Sequence, residues 1–416
     1  MSVLLVPALL WAPLAAEPAD AADPATCQGY VATIVADGSE PHVEGTDGPD
    51  VIVVDHPARV SAGAGDDVVC MKGGQVDGGD GDDRIESALT SPARTDVVLG
   101  PGDDRYRGGS GRDVVYGGLG QTGKERVVTG AGPDSVSVDG DADGPDRVDL
   151  GAGRDTANVF IADEARTTVV RGGPGRDTVG YGPGARSAAD WQVDLALGTV
   201  RRDGEPVSLL SGVEEHSARL GVNDTLKLWG TSSSDDVRAS AGAVDVRTRG
   251  GSDTVIVGNA LDGYASSGFV DLGAGRHDLL GGIGRRHVTV DLDRGRARLG
   301  SSGALRLRGA EDAFGAAKTV RLVGSAGANR LLGHGCSVAV QARAGDDVVR
   351  LTRKFHQGVP LPCVVRRVVA TGGRGRDLIA GSEGPDRLVG GSGRDVAYGG
   401  KGTDRCEAER EISCER

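Results

Sequence analysis

The sequence predicts an all-β fold, a parallel β-roll or β-solenoid built from Gly/Asp-rich nonapeptide repeats. Three observations carry that expectation. Glycine fills 70 of the 416 positions while aromatic residues make up only 3%. Each glycine in a helix interior costs about 0.8–1.0 kcal/mol relative to alanine, so regular helices are disfavoured and a thin aliphatic core is favoured. Near the C-terminus Asp377, Asp386, Asp395 and Asp404 stand nine residues apart. Glycines precede each of them at fixed offsets, and in most units an aliphatic residue follows. Low-complexity disorder requires no such ordering.

The repeating unit reads Gly-Gly-x-Gly-x-Asp-x-U-x, where U is a large aliphatic. Residues 172–180 (GGPGRDTVG) and 78–86 (GGDGDDRIE) show it clearly, and 390–398 (GGSGRDVAY) moves the aliphatic one place forward. Glycines permit positive φ and let carbonyls converge. The last three residues then form a short strand with its apolar member inward. Two units make a coil of about 18 residues, and coils stack. An aspartate at position six then lies under the aspartate two units later. The carboxylate and carbonyl oxygens between them are the hard donors Ca²⁺ takes, 6–8 at a time.

This pattern resembles the haemolysin-type calcium-binding repeat, the RTX nonapeptide of secreted bacterial proteins. The resemblance implies a parallel β-roll holding several Ca²⁺ ions through loop carbonyls and position-six aspartates. On this reading Asp377 stacks over Asp395 and Asp386 over Asp404. Gly372, Gly375, Gly381, Gly384, Gly390, Gly393, Gly399 and Gly402 supply the turns around them. Asp104 and Asp113 belong to consecutive units, whereas the next unit offers Thr122 where an aspartate is needed. Asp146 and Asp155 are also nine apart. Asp50, Asp67, Asp83, Asp134 and Asp177 fit single units, several at irregular spacings.

The chain divides by pattern. Residues 1–22 read as a signal peptide, with an apolar stretch from Val3 to Ala16 followed by small residues and removal expected between Ala16 and Ala22. No Lys or Arg precedes that stretch, unlike the usual signal. An N-terminal repeat region spans 27–171, and a C-terminal roll spans 372–416. Between them, 172–365 reads as a strand-rich duplication, 172–270 and 271–365. VDLALGTV at 193–200 recurs as VDLDRGRA at 290–297, and GVEE at 212–215 recurs as GAED at 309–312. Alternation of Val193, Leu195 and Leu197 suggests half-buried strands. In the second copy His277 stands where Asp177 stood, and Arg286 takes the next sixth position. The middle therefore reads as a structural solenoid more than a calcium store.

Six cysteines fit an oxidising, extracellular compartment. Fifteen pairings are open. Local pairing favours Cys27 with Cys70, Cys336 with Cys363 and Cys406 with Cys414. A zinc site from His334, Cys336, His356 and Cys363 matches no familiar spacing. The net charge of −13 argues against nucleic acid and for divalent cations. No segment after the leader is apolar enough to span a membrane.

Catalytic signatures are scarce. His-Glu-x-x-His and Gly-x-Ser-x-Gly are both absent. EEHSA at 214–218 sets two carboxylates beside His216, a pattern that more often marks a solvated turn. Trp191 and Trp229 read as strand-surface or core aromatics before sugar platforms. The expected protein is a secreted, non-catalytic calcium binder whose roll folds on extracellular Ca²⁺. Two alternatives stay open: a surface adhesin or matrix protein with a cell-surface or polysaccharide partner, and a carbohydrate-active β-helix enzyme.

Overall fold

A computed structural model describes residues 24–38, 40–87, 94–118, 122–140, 144–162, 167–183, 188–258, 266–351 and 367–415. The expected leader at 1–22, His356 and Cys363 lie outside them. Among the described residues every regular element is a strand. No helix among them is long and apolar enough to cross a membrane, which leaves β-barrel spanning untouched.

The chain winds as a coil with two walls. One sheet begins with Ile34–Ala36, Val51–Val54, Val68–Met71 and Arg84–Ser87 and ends at Arg405–Glu407. The second begins with His42–Glu44, Ala58–Ser61, Gly74–Asp77 and Thr95–Val98 and ends at Arg410–Ile412. Each sheet is one file of strands whose two end strands pair with nothing beyond, so the walls are open sheets. Glycine turns pass the chain from one wall to the other. Neighbours in a wall are successive coils, which makes the pairing parallel and in register.

Register stacks like on like. Ile52, Val69, Ile85, Tyr106, Val127 and Val148 are successive inward partners in the first wall. Val60, Val76, Val97, Val115 and Val136 do the same in the second. All eleven are at most 3% exposed. All but Tyr106 are Val or Ile, medium apolar groups worth roughly 1.5–3 kcal/mol each when fully buried. The core is therefore a narrow seam along the axis, which is why few aromatics suffice.

The segment read as a duplication departs from pure parallel stacking at two places. Asp190–Asp194, Thr199–Arg202 and Glu205–Ser211 form an antiparallel meander inside the first wall. Ninety-seven residues on, His287–Asp291, Arg296–Leu299 and Gly303–Arg308 repeat it. Of the alternating trio, Val193 is buried and Leu195 half-buried, but Leu197 sits in the hairpin turn at 74% exposure. Pairing continues across both ends of the duplicated segment, from Thr168–Arg171 to Glu205–Ser211 and from Ser337–Ala344 to Arg367–Gly375.

Cys27 is bonded to Cys70 and Cys406 to Cys414, with Cα separations of 5.6 and 5.9 Å. Cys336 is also disulfide-bonded.

Candidate metal centre

Where the chain leaves each turn and enters a strand, a carboxylate is buried. These residues form two files along the axis, one leading into each wall. In the first file the N–H of Asp50 donates to Asp67 Oδ1 (2.7 Å), that of Asp67 to Asp83 (2.9 Å) and that of Asp83 to Asp104 (2.8 Å). The file goes on to Glu125, whose N–H donates to Asp146 Oδ1 at 3.2 Å. In the second file Asp113 donates to Asp134, Asp134 to Asp155 and Asp155 to Asp177 at 2.8–3.0 Å. In the C-terminal roll Asp377 donates to Asp395 Oδ1 and Asp386 to Asp404 Oδ1, both at 2.9 Å. Position-six aspartates two units apart are thus in direct contact.

One oxygen of each rung is used this way. The other, Oδ2, is buried without a hydrogen-bond partner in Asp67, Asp83, Asp104, Asp155, Asp177, Asp253, Asp347, Asp377, Asp395 and Asp404. A buried carboxylate oxygen left unpaired costs several kcal/mol unless something positive meets it. The glycine at position one shows what room there is. A Cβ built on Gly381 would fall 2.5 Å from Asp386 Oδ2 and against the Gly399 carbonyl. On Gly399 it would fall 2.7 Å from Asp404 Oδ2 and against the Ser413 carbonyl. On Gly78 it would lie 2.5 Å from Asp83 Oδ2 and against the Leu99 carbonyl. Gly372 stands in the same relation to Asp377 and the Gly390 carbonyl, and Gly390 is crowded by the Asp395 side chain alone. So one carboxylate oxygen and the next coil's carbonyl converge on a space that only glycine leaves free. Gly375, Gly393 and Gly402 hold positive φ. Gly384 does not, because Pro385 behind it restricts its backbone to the extended region.

The electrostatics agree. Burial, reinforced by neighbouring carboxylates, pushes the carboxyls of Asp67 and Asp155 up to about 6 and those of Asp83, Asp104 and Asp347 up to about 7. Burial and the charge of Asp134 push Asp113 up to about 6. Burial also raises Asp134, Asp177, Asp377, Asp386 and Asp404. Among the described residues no three His, Cys, Asp or Glu side chains gather at one point. Any ion held here is therefore held by carboxylate and main-chain oxygens together. That all-oxygen donor set fits Ca²⁺ and not zinc.

Rungs come in two kinds. Where position two is Thr or Ser, the unit fills its own second oxygen. Thr46 donates its N–H (2.7 Å) and hydroxyl (2.9 Å) to Asp50 Oδ2. Although burial works against it, these bonds and one from Thr33 hold Asp50 below the usual carboxylate range. Thr231 and Ser382 donate their N–H to Oδ2 of Asp235 (2.8 Å) and of Asp386, and their hydroxyls to Oδ1. The repeat pattern gave no reason to separate Asp50 and Asp386 from the other aspartates; position two is the signal.

Several expectations need correction. Thr122 is not the partner of Asp104; Glu125 takes that place, 3% exposed, because the coil advances 21 residues there. In the second copy Asp278, not His277, is the rung: it is 1% exposed and accepts the Asp253 N–H at 2.9 Å. His277 adopts φ 62° and absorbs one extra residue. The middle has lost most acids of the first file, which keeps Asp224 as acceptor of the Ala189 N–H at 2.9 Å, and the second file keeps its acids apart from Asn329. Asp235 to Asp253 and Asp347 to Asp377 continue the second file, while the first offers Ala189 and Arg286.

EEHSA is no solvated turn. Glu214 accepts the Asp177 N–H at 2.8 Å, and Glu215, 4% exposed, meets Arg176 at 2.6 Å. His216 points into the seam, 6% exposed, 3.2 Å from the Tyr181 hydroxyl, and burial lowers it to about 4. Trp191 is 1% exposed beneath Arg202, whose guanidinium lies 5.6 Å from the ring centre.

No curated protein matches the chain. A model of the RTX calcium-binding nonapeptide repeat matches it in four copies, within residues 99–121, 229–262 and 371–406. The middle segment spans Asp235 and Asp253, in the part of the duplication whose second file keeps its acids. By its buried carboxylate files and these four matches, the chain carries RTX calcium-binding nonapeptide repeats and is wound as a parallel β-roll.

Proposed function

We propose that this is an exported calcium-binding repeat protein, non-catalytic, whose coils order when they meet extracellular Ca²⁺. The observation supporting it is the orphaned Oδ2 beside a glycine-shaped space and a facing carbonyl, repeated along both files. The residues expected to hold ions are Asp67, Asp83, Asp104, Asp113, Asp146, Asp155, Asp177, Asp377, Asp395 and Asp404, with Asp50 and Asp386 in units that already fill one oxygen. Bound Ca²⁺ supplies positive charge between successive carboxylates.

The chain's own residues set the balance. Without a cation the files are rows of like charges in a dry seam, and glycine turns lose more conformational freedom on ordering than any others. Whatever binds the folded state alone adds its binding free energy to folding. The aliphatic files make the coil cooperative, since each rung's N–H needs the next.

The test is a calcium titration followed by far-UV circular dichroism, beside a variant with Asp377, Asp386, Asp395 and Asp404 all replaced by Ala. A coil-to-β transition that weakens in the variant is expected. A wild-type spectrum that is already β-rich in chelator and indifferent to calcium would sink the proposal.

A further inference from the structure

The outer face of the first wall carries a feature that calcium binding does not use. Arg84, Arg105, Arg126 and Arg147 are in-register partners in four consecutive strands. Strands lie about 4.8 Å apart, so the four α-carbons form a straight file of about 14 Å along the solenoid axis. None of the four makes an ion pair with any described carboxylate. Like charges directly opposite on neighbouring strands destabilise a sheet. A chain of net charge −13 nonetheless stacks four of them.

Each arginine directly follows a buried acid: Asp83, Asp104, Glu125 or Asp146. Softening those buried charges does not explain the file. Asp50 and Asp67 are rungs of the same kind, and the residues that follow them in the same row are Val51 and Val68. The file also borders a groove. Tyr30, 49% exposed, overhangs from the N-terminal hairpin and accepts from Arg84 Nη1 at 3.4 Å. Arg105, Arg107 and Arg126 line the same groove.

We propose that this groove binds an acidic polysaccharide lying along the solenoid axis, with one carboxylate or sulfate per sugar meeting successive guanidiniums. Arginine presents planar, paired donors suited to both anions, and the Tyr30 ring offers a flat face to a sugar. The charge density favours a glycan over nucleic acid. Duplex DNA carries a charge every ~1.7 Å, and it would press extra phosphates against a strongly acidic chain. Of the two tyrosines lining the groove only Tyr30 is exposed, Tyr106 being buried, so there is no row of stacking platforms.

The experiment uses the full mature chain in saturating calcium, titrated with short polyuronate and short sulfated oligosaccharides by calorimetry. Arg105→Thr/Arg126→Thr is compared with Arg298→Thr/Arg350→Thr, which removes the same charge from exposed strand positions outside the groove. Thr is chosen because Thr156 and Thr178 follow rung aspartates in the second wall. Salt-sensitive binding that falls about tenfold in the groove variant only, with unchanged circular dichroism, is expected. Which oligosaccharide binds tells carboxylate from sulfate. Equal loss in both variants, equal binding of a neutral oligosaccharide, or tighter binding of single-stranded DNA would overturn the proposal.

Discussion

Replacing Asp83 by asparagine should stabilise the calcium-free protein and weaken the calcium-loaded one. The chain already holds a neutral amide at one rung. Asn329 occupies a rung, donates its N–H to Asp347 Oδ1 at 2.8 Å and donates its amide to the Glu311 carbonyl at 2.6 Å. In Asp83→Asn the amide oxygen would keep the bond from the Asp67 N–H, and the new NH₂ would face the Leu99 carbonyl. Asp83 is raised by burial to about 7, a shift worth at most about 4 kcal/mol. Allowing for solvent screening, the gain in chelator near neutral pH is about 1–2 kcal/mol. In calcium the sign reverses. A site with Kd of about 10⁻⁴–10⁻³ M contributes about 1.4–2.7 kcal/mol at ~10 mM Ca²⁺, and the variant lacks it. Urea denaturation by circular dichroism, with chelator and with calcium, should therefore give curves that exchange order. A variant less stable than wild type in chelator would refute the idea that metal-free rungs are frustrated.

Further outcomes follow from the same geometry. In chelator, wild-type stability should fall as pH rises from about 4 through 6–7. The folded carboxyls of Asp67, Asp83, Asp104, Asp113, Asp155 and Asp347 hold protons there that the unfolded chain has released. Calcium should flatten that slope, and urea midpoints at several pH values would check it. Gly78→Ala puts a methyl 2.5 Å from the unpaired Asp83 Oδ2. It should lower calcium affinity and cost about 1–3 kcal/mol in calcium, read by calorimetry and urea midpoint. Cys406→Ser/Cys414→Ser opens an eight-residue span and should destabilise the C-terminal coil by about 2.5 kcal/mol, visible as earlier hydrogen exchange in Arg405–Glu407.

The strict 18-residue step made Asp377 over Asp395 readable from sequence, since period and stacking coincide there. Counting failed where the coil length changes. Glu125 was missed because a nine-residue count from Asp113 lands on Thr122, while the true coil step from Asp104 is 21. Asp278 was missed because one residue is inserted at His277, and a left-handed backbone hides it. The meander was readable as strands but not as antiparallel ones. Its signal was available: only residues 195–198 separate Asp190–Asp194 from Thr199–Arg202, too few for a parallel crossover. The files' hydrogen bonds, and the role of position two, depend on side-chain geometry that residue spacing does not carry.

The carboxylate files have a direction. Along them each rung's N–H is satisfied by the carboxylate that follows it in the chain, and Glu409 and Glu415 end the two files by accepting from Asp395 and Asp404. Truncation is therefore unequal at the two ends. Cutting coils from the N-terminal side leaves a spare acceptor, which solvent can fill. Cutting them from the C-terminal side leaves instead a spare amide donor at the newly exposed end. The two ends of the winding therefore present opposite halves of the same hydrogen bond.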